Sequence, residues 1–203
     1  MPVRPSWSSH VFRRMKGQEE WQSSPGSGRK GLVSVAFAVG LSLCAGIALA
    51  QAGEEEIKAA FLFNFARYVE WPASSFDGDE TPVRVCLIGA GGFAKTVSES
   101  VSGKRVDRRS VEVMEAEDPA SAVDCHILFV GEGVGAARSK LIAKLAKAPV
   151  LTVSDSEGFA RAGGIANFYR ADKKVRFEIN PGAARDAGLR ISSQLLRLAR
   201  VVE

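Results

Sequence analysis

The sequence predicts an α/β fold: a single compact domain whose mainly parallel central sheet is flanked by helices on both faces and ends in a C-terminal antiparallel hairpin. Three observations carry that expectation. From residue 83 onward, short apolar runs alternate with helical patterns. The run Ile127-Leu128-Phe129-Val130 is apolar at every position, as in a strand covered on both faces. Ile165 to Tyr169 and Lys174 to Ile179 are strand-like and separated only by a short polar stretch, the pattern of two strands returning on each other.

The first element after residue 53 is a helix. Ile57, Phe61, Phe65 and Tyr68 recur at spacings of four, four and three, which places them on one face. Glu54, Glu55 and Glu56 sit in the first turn, where the helix dipole favours negative charge. Trp71-Pro72 ends the helix, because the residue before proline is pushed out of the helical region. Ala73 to Pro82 reads as a polar loop.

Val83 to Ile88 is the first strand, followed by Gly89-Ala90-Gly91-Gly92 and a helix from about Phe93 to Val101. Ser110 to Met114 is a second strand and Ile127 to Val130 a third. Ala137 to Lys147 forms an amphipathic helix using Leu141, Ile142 and Leu145. Val150 to Val153 is a fourth strand, with Ser154 or Asp155 placed to cap a short helix through Phe159. Ala162-Gly163-Gly164 turns the chain into the hairpin.

Asn180-Pro181 reads as an N-cap followed by a first-turn proline, and Gly188 as that helix's stop. Ser192 or Ser193 caps the last helix, whose apolar face is Leu195, Leu198 (or Leu196), Ala199 and Val202.

The segment before this domain has a different character. Arg29 and Lys30 precede an almost wholly apolar or small stretch from Gly31 to Ile47. Ala48-Leu49-Ala50 then gives the small-x-small pattern of signal-peptidase cleavage, with a second site at Ala52. We read residues 1–52 as an N-terminal extension plus a cleavable signal peptide, and 53–203 as the working domain. A membrane anchor is the competing reading, since the apolar run is just long enough to span a bilayer. Small residues at the cleavage end and the acidic triplet beyond it favour cleavage. Cys44 lacks the small preceding residue that lipoprotein processing needs, because Leu43 stands there. Residues 1–28 show no apolar periodicity, and Met15 is an alternative start.

Cleavage changes the charge. Six of the 27 basic and two of the 23 acidic residues precede Gly53, leaving 21 of each. The precursor's pI of 9.1 is thus a property of the leader, and a basic-patch argument for nucleic acid fails. The remaining domain, about 150 residues, suits one core and needs no staple to fold. After cleavage the expectation is a soluble protein outside the cytoplasm, without a stable membrane anchor.

Two cysteines remain, Cys86 and Cys125, and one histidine, His126. In an oxidising compartment two cysteines read as a bond, which stabilises by about 4 kcal/mol for a loop of roughly 40 residues. Two buried free thiols are the other reading.

Little of this resembles an active site. Gly89 to Thr96 lies where a phosphate-cradling loop would sit, but Ala94 replaces the last glycine of a Walker A motif and the dinucleotide spacing also fails. A tight strand-to-helix turn accounts for it. His126 cannot meet Cys125 as a nucleophile pair, because adjacent strand residues point to opposite faces. We read it as structural. There are too few ligands for a zinc site, and no HExxH or GxSxG motif is present. We therefore expect neither an enzyme nor a cofactor or metal.

The C-terminal third offers candidate binding residues. Asn167, Phe168, Arg176, Glu178 and Asn180 bring polar groups and an aromatic ring together on alternating strands, facing either a groove or a partner. The bland alternative is the solvated face of a hairpin.

Taken in order, the segments resemble the YfiR-like family of periplasmic proteins. The resemblance opens with Lys58 to Pro72, including Phe61, Asn64, Phe65, Tyr68 and Trp71. It continues through Val85-Cys86-Leu87-Ile88-Gly89, Cys125 to Val130, Leu151 to Asp155, Gly158-Phe159 and Gly163 to Ile165. Val175 to Asn180 and Ala187 to Leu196 complete it, covering essentially the whole domain. The resemblance implies a non-enzymatic regulator that binds and represses the periplasmic domain of an inner-membrane diguanylate cyclase, lowering cyclic-di-GMP and biofilm formation. A sensor kinase is the related partner class, and a homodimer the implied assembly. It also implies that Cys86 and Cys125 match a family disulfide, while a second family cysteine pair has no counterpart here. The alternative to a repressor is a small-ligand-binding module serving a sensor or transporter, for which a pocket near Asn167, Arg176 and Asn180 would speak.

Overall fold

A computed structural model describes residues 53–203 except 117, 119 and 120. The leader reading, with its cleavage sites and Cys44, lies outside the described residues.

Helix α1 covers residues 53–68. It ends three residues before Trp71 because β1 (Val69–Glu70) leaves to pair with β9 (Arg190–Ile191) in a two-stranded antiparallel ribbon. Its buried face is Ala59, Leu62, Phe65 and Ala66, whereas Ile57 is 47% exposed. The four-residue spacing thus identified the helix but set its inward face too far round. Phe65 stacks on Phe168 at 5.7 Å and meets Phe177 edge-on at 5.2 Å, so α1 is pinned across the hairpin by aromatic contacts.

The main sheet is built from β2 (Val83–Ile88), β3 (Arg105–Val106), β4 (Arg109–Glu115), β5 (Ile127–Val130), β6 (Leu151–Ser154), β7 (Ala166–Ala171), β8 (Lys174–Ile179) and β10 (Arg200–Val201). Its order is β10-β8-β7-β6-β5-β2-β4-β3. The run β7-β6-β5-β2-β4 is parallel, and antiparallel pairs close it at β7–β8 and β3–β4. Alternate strand residues divide the core. Val85, Leu87, Ile127, Phe129 and Phe168 face α1 and α2 (Phe93–Val101). Cys86, Ile88, Leu128 and Val130 face α3 (Arg138–Leu145). Helices therefore cover both faces of the sheet.

Residues 155–159 form no helix. Ser154 Oγ accepts from the Ser156 amide and donates to the Val130 carbonyl, and hydrogen-bonded turns run on to Gly163. Asn180 caps α4 (Pro181–Asp186) by accepting from the Ala183 amide at 2.9 Å, and Gly188 takes φ +73° behind it. Ser192 caps α5 (Ser193–Leu198) through the Leu195 amide. On α5, Leu195 is buried and Leu198 is 73% exposed, which settles the inward face on Leu195 and the half-buried Leu196. Val202 is buried beyond the helix, behind β10.

Candidate functional site

In an open parallel sheet, ligands settle at the carboxyl ends of the strands where the winding direction reverses. Here that point lies between β2, whose chain goes on to β4, and β5, which returns on β2's other side. Two glycine loops meet there. The Gly133 amide donates to the Gly89 carbonyl at 3.0 Å, and the Gly131 amide to Ile88 at 2.9 Å. A Cβ on Gly131 would stand 2.3 Å from the Gly89 oxygen, and one on Gly89 2.6 Å from the Val134 nitrogen. The loops fill the crevice against each other, so the Gly89 to Gly92 segment serves as packing and as the tight turn into α2.

The five residues singled out on the hairpin sit close together but in different settings. Register places Asn167 opposite Glu178 and Tyr169 opposite Arg176, with Arg200 of β10 also beside Glu178. These residues share the face turned away from α1. Asn167 is 2% exposed: its Oδ1 accepts from the Phe159 amide, and its Nδ2 donates to the Ser154 and Phe168 carbonyls. Glu178 is buried and receives Arg200 Nε at 3.0 Å. Phe168 lies on the opposite face, in the aromatic core under α1. Asn180 is buried in its capping role. Arg176 alone of the five reaches solvent, near Asp172. Beside it stand Tyr169, which the sequence offers as an aromatic neighbour of these polar groups, and Arg200, which it does not single out and whose guanidinium lies 4.1 Å from the Tyr169 ring centre. The period-two alternation of β7 and β8 was the signal that would have grouped them.

On the other face, an ionic cluster ties α1 to the sheet. Lys58 reaches Glu54 at 2.9 Å and Asp155 at 3.0 Å, and Arg170 reaches Glu54 at 3.1 Å. Burial opposes the Lys58 charge, but the hydrogen bonds and attraction of the two carboxylates outweigh it and raise its pKa.

Cys86 and Cys125 are joined across 39 residues, with Cα atoms 5.9 Å apart. His126 follows them into the interior and is 3% exposed. Two clefts are described on the surface. One, of 520 Å³, lies among Ile142, Gly163, Asn180, Pro181, Arg185 and Val201. The other, of 450 Å³, lies among Ser74, Ser75, Asp77, Arg84, Asp124 and His126. Of the three residues named for a ligand pocket, Asn180 lines the first cleft, and Asn167 and Arg176 line neither. Among the described residues no group of three or more His, Cys, Asp or Glu is placed to hold a metal ion. No helix among them is long and apolar enough to cross a membrane.

The topology defines a doubly wound α/β domain with a sealed switch point and an exposed basic–aromatic strip on its terminal hairpin. A family model described as YfiR/HmsC-like matches residues 55–200, and the chain belongs to that family. Among solved structures it is similar to a conserved domain protein from Vibrio cholerae O1 biovar El Tor strain N16961 (12% identity, TM-score 0.47), covering 60% of this chain and 55% of that one. It is also similar to the ABC domain in complex with L-Trp from Streptococcus pneumonia (11% identity, TM-score 0.44), covering 59% and 55%. The matched part thus spans about half the length of each.

Proposed function

We propose that this protein is a periplasmic regulator that binds the periplasmic domain of an inner-membrane signalling protein, a diguanylate cyclase, and represses it. The observation that carries the reading is the family match, which runs from residue 55 to residue 200 and so takes in nearly the whole described domain. The reading includes export by the leader of residues 1–52 and assembly as a homodimer. The docking surface we assign is the strip around Arg176, with Tyr169 and Arg200 beside it. Asn167, Phe168, Glu178 and Asn180 act from beneath by fixing the strands that present it. Such a strip suits recognition of carboxylates on a partner, because arginine binds them in a fixed fork.

The test is the cyclic-di-GMP content of host cells. Deleting the gene should raise it, and restoring the wild-type chain should lower it again. Restoring an Arg176→Glu chain, present at the same level, should fail to do so. An unchanged cyclic-di-GMP level on deletion would contradict the repressor reading.

A further inference from the structure

His126 is the buried titratable group that neither the docking strip nor the disulfide uses. Both its ring nitrogens are committed to backbone groups. Nδ1 stands 3.0 Å from the Arg84 amide, which can only donate, so Nδ1 is the unprotonated nitrogen. Nε2 therefore carries the hydrogen and donates it to the Ser75 carbonyl at 2.9 Å. Phe76 stacks on the ring at 4.4 Å, and Trp71 meets it edge-on at 5.9 Å while its indole N–H donates to the His126 carbonyl.

The loop of residues 72–82 hangs on this arrangement. Arg109 lies 3.9 Å from the Phe76 ring centre and donates to the Gly78 and Thr81 carbonyls. Among the described residues, the long-range hydrogen bonds of 72–82 run to His126 and Arg109. The loop's other bonds are local turns, such as Ser75 to Pro72 and Thr81 to Gly78. Beneath it lies the 450 Å³ polar cleft.

We propose that His126 is a pH-sensitive latch: protonation breaks the ring's bond to the Arg84 amide of β2, so that the ring and the 72–82 loop bound to it lift from the end of the sheet and widen the polar cleft beneath. The added proton must enter at Nδ1, where the Arg84 amide hydrogen already points. An imidazolium has two donors and no acceptor, so that bond is lost and the two N–H groups repel, while Nε2 keeps its bond to the Ser75 carbonyl; the ring therefore leaves the Arg84 amide with the loop still attached to it. The charges around the ring add to this. Arg84 faces it from β2 and Arg109 from β4. Asp77 of the loop and Asp124 of the preceding turn line the same cleft, but backbone groups already occupy both ring nitrogens. Trp71, Phe76 and Pro149 bring no charge. Among the described residues the buried Ser75 Oγ has no hydrogen-bond partner, and lifting the loop would hydrate it.

Burial, aided by the two guanidinium groups, holds the His126 pKa below its ordinary value, against the weaker pull of the Ser75 carbonyl. The sign follows. The unfolded or released ring binds a proton first, so the latch holds fully above about pH 6.5 and is lost as pH falls below that value.

The experiment uses the full chain. The Trp71 signal is taken as the fluorescence difference between wild type and Trp71→Phe, since Trp7 and Trp21 also emit. Between about pH 8 and about pH 4.5 it should change reversibly, with a midpoint below about pH 6.5. Hydrogen exchange, corrected for its intrinsic pH dependence, should quicken in residues 72–82 and not in the sheet. His126→Asn keeps an acceptor toward the Arg84 amide and should abolish the transition. A transition that persists in His126→Asn, a flat wild-type signal, or exchange that rises throughout the sheet would overturn the proposal. Should His126→Asn fail to fold, the ring is titrated by NMR in a His10→Ala chain. A ring midpoint matching that of loop release supports the latch, and a ring that protonates with no loop change overturns it.

Discussion

Asn167 is 2% exposed and spends its whole amide on the fold: one acceptor for the Phe159 amide, two donors for the Ser154 and Phe168 carbonyls. Replacing it with Leu leaves those backbone groups unpaired in the interior, which costs about 2–4 kcal/mol. Urea unfolding of Asn167→Leu should show that loss, with no comparable loss in Arg176→Ala, whose side chain is half exposed and only loosely ion-paired. Phe168→Ala should be costlier, about 3–5 kcal/mol, because it removes a ring from the cluster with Phe61 and Phe65. These contrasts show what composition concealed. Polar and aromatic residues on a hairpin look like a surface, and only the tertiary pairing of β7 with β6 and α1 reveals which of them are interior. Where a residue's role is local, the sequence carried it: Asn180-Pro181 as cap and first turn, and Gly188 as stop.

At the scale of elements, strands of four to six residues between clear turn signals were the legible ones. β2, β5 and β8 have the bounds that patterning assigned, β2 and β5 as apolar-rich runs and β8 as a strict alternation of polar and apolar residues. The two-residue strands β1, β3, β9 and β10 were not legible, since pairing over two residues leaves no periodicity to read. The β7–β8 turn also lacked a signal: Asp172 and Lys173 both take positive φ without a glycine. Two predictions belong here. Gly131→Ala puts a Cβ against the Gly89 backbone oxygen and should destabilise the chain more than Gly92→Ala, where φ is −66° and nothing lies within 4 Å; thermal melts compare them. Arg200→Ala strands the buried Glu178 and should free β10, seen as faster amide exchange at Val202, whose N–H donates to the Ile179 carbonyl. Adding Glu178→Gln should recover part of that protection.

For the whole molecule, the Cys86–Cys125 disulfide is a covalent tie across 39 residues. It ties β2 to the segment entering β5 at the strands' amino-terminal end, away from the sealed glycine crevice and beside the His126 loop. Replacing both Cys86 and Cys125 with Ala should lower unfolding stability by about 4 kcal/mol while leaving far-UV circular dichroism unchanged. Fold class was legible from alternation and from Ile127 to Val130, since those patterns follow from burial on two faces. Binding was not: the proposed docking strip draws its side chains from three strands, which no local pattern groups. The family match supplies that class, and the repressor reading rests on it. The most direct measurement is a pull-down with purified, oxidised protein against detergent-solubilised membranes from its own host. The account predicts recovery of a membrane protein that couples a periplasmic domain to a diguanylate cyclase, and its loss when Arg176→Glu is the bait. Failure to recover any such protein, together with a small molecule that raises the melting temperature, would contradict it and point to a ligand-binding module instead.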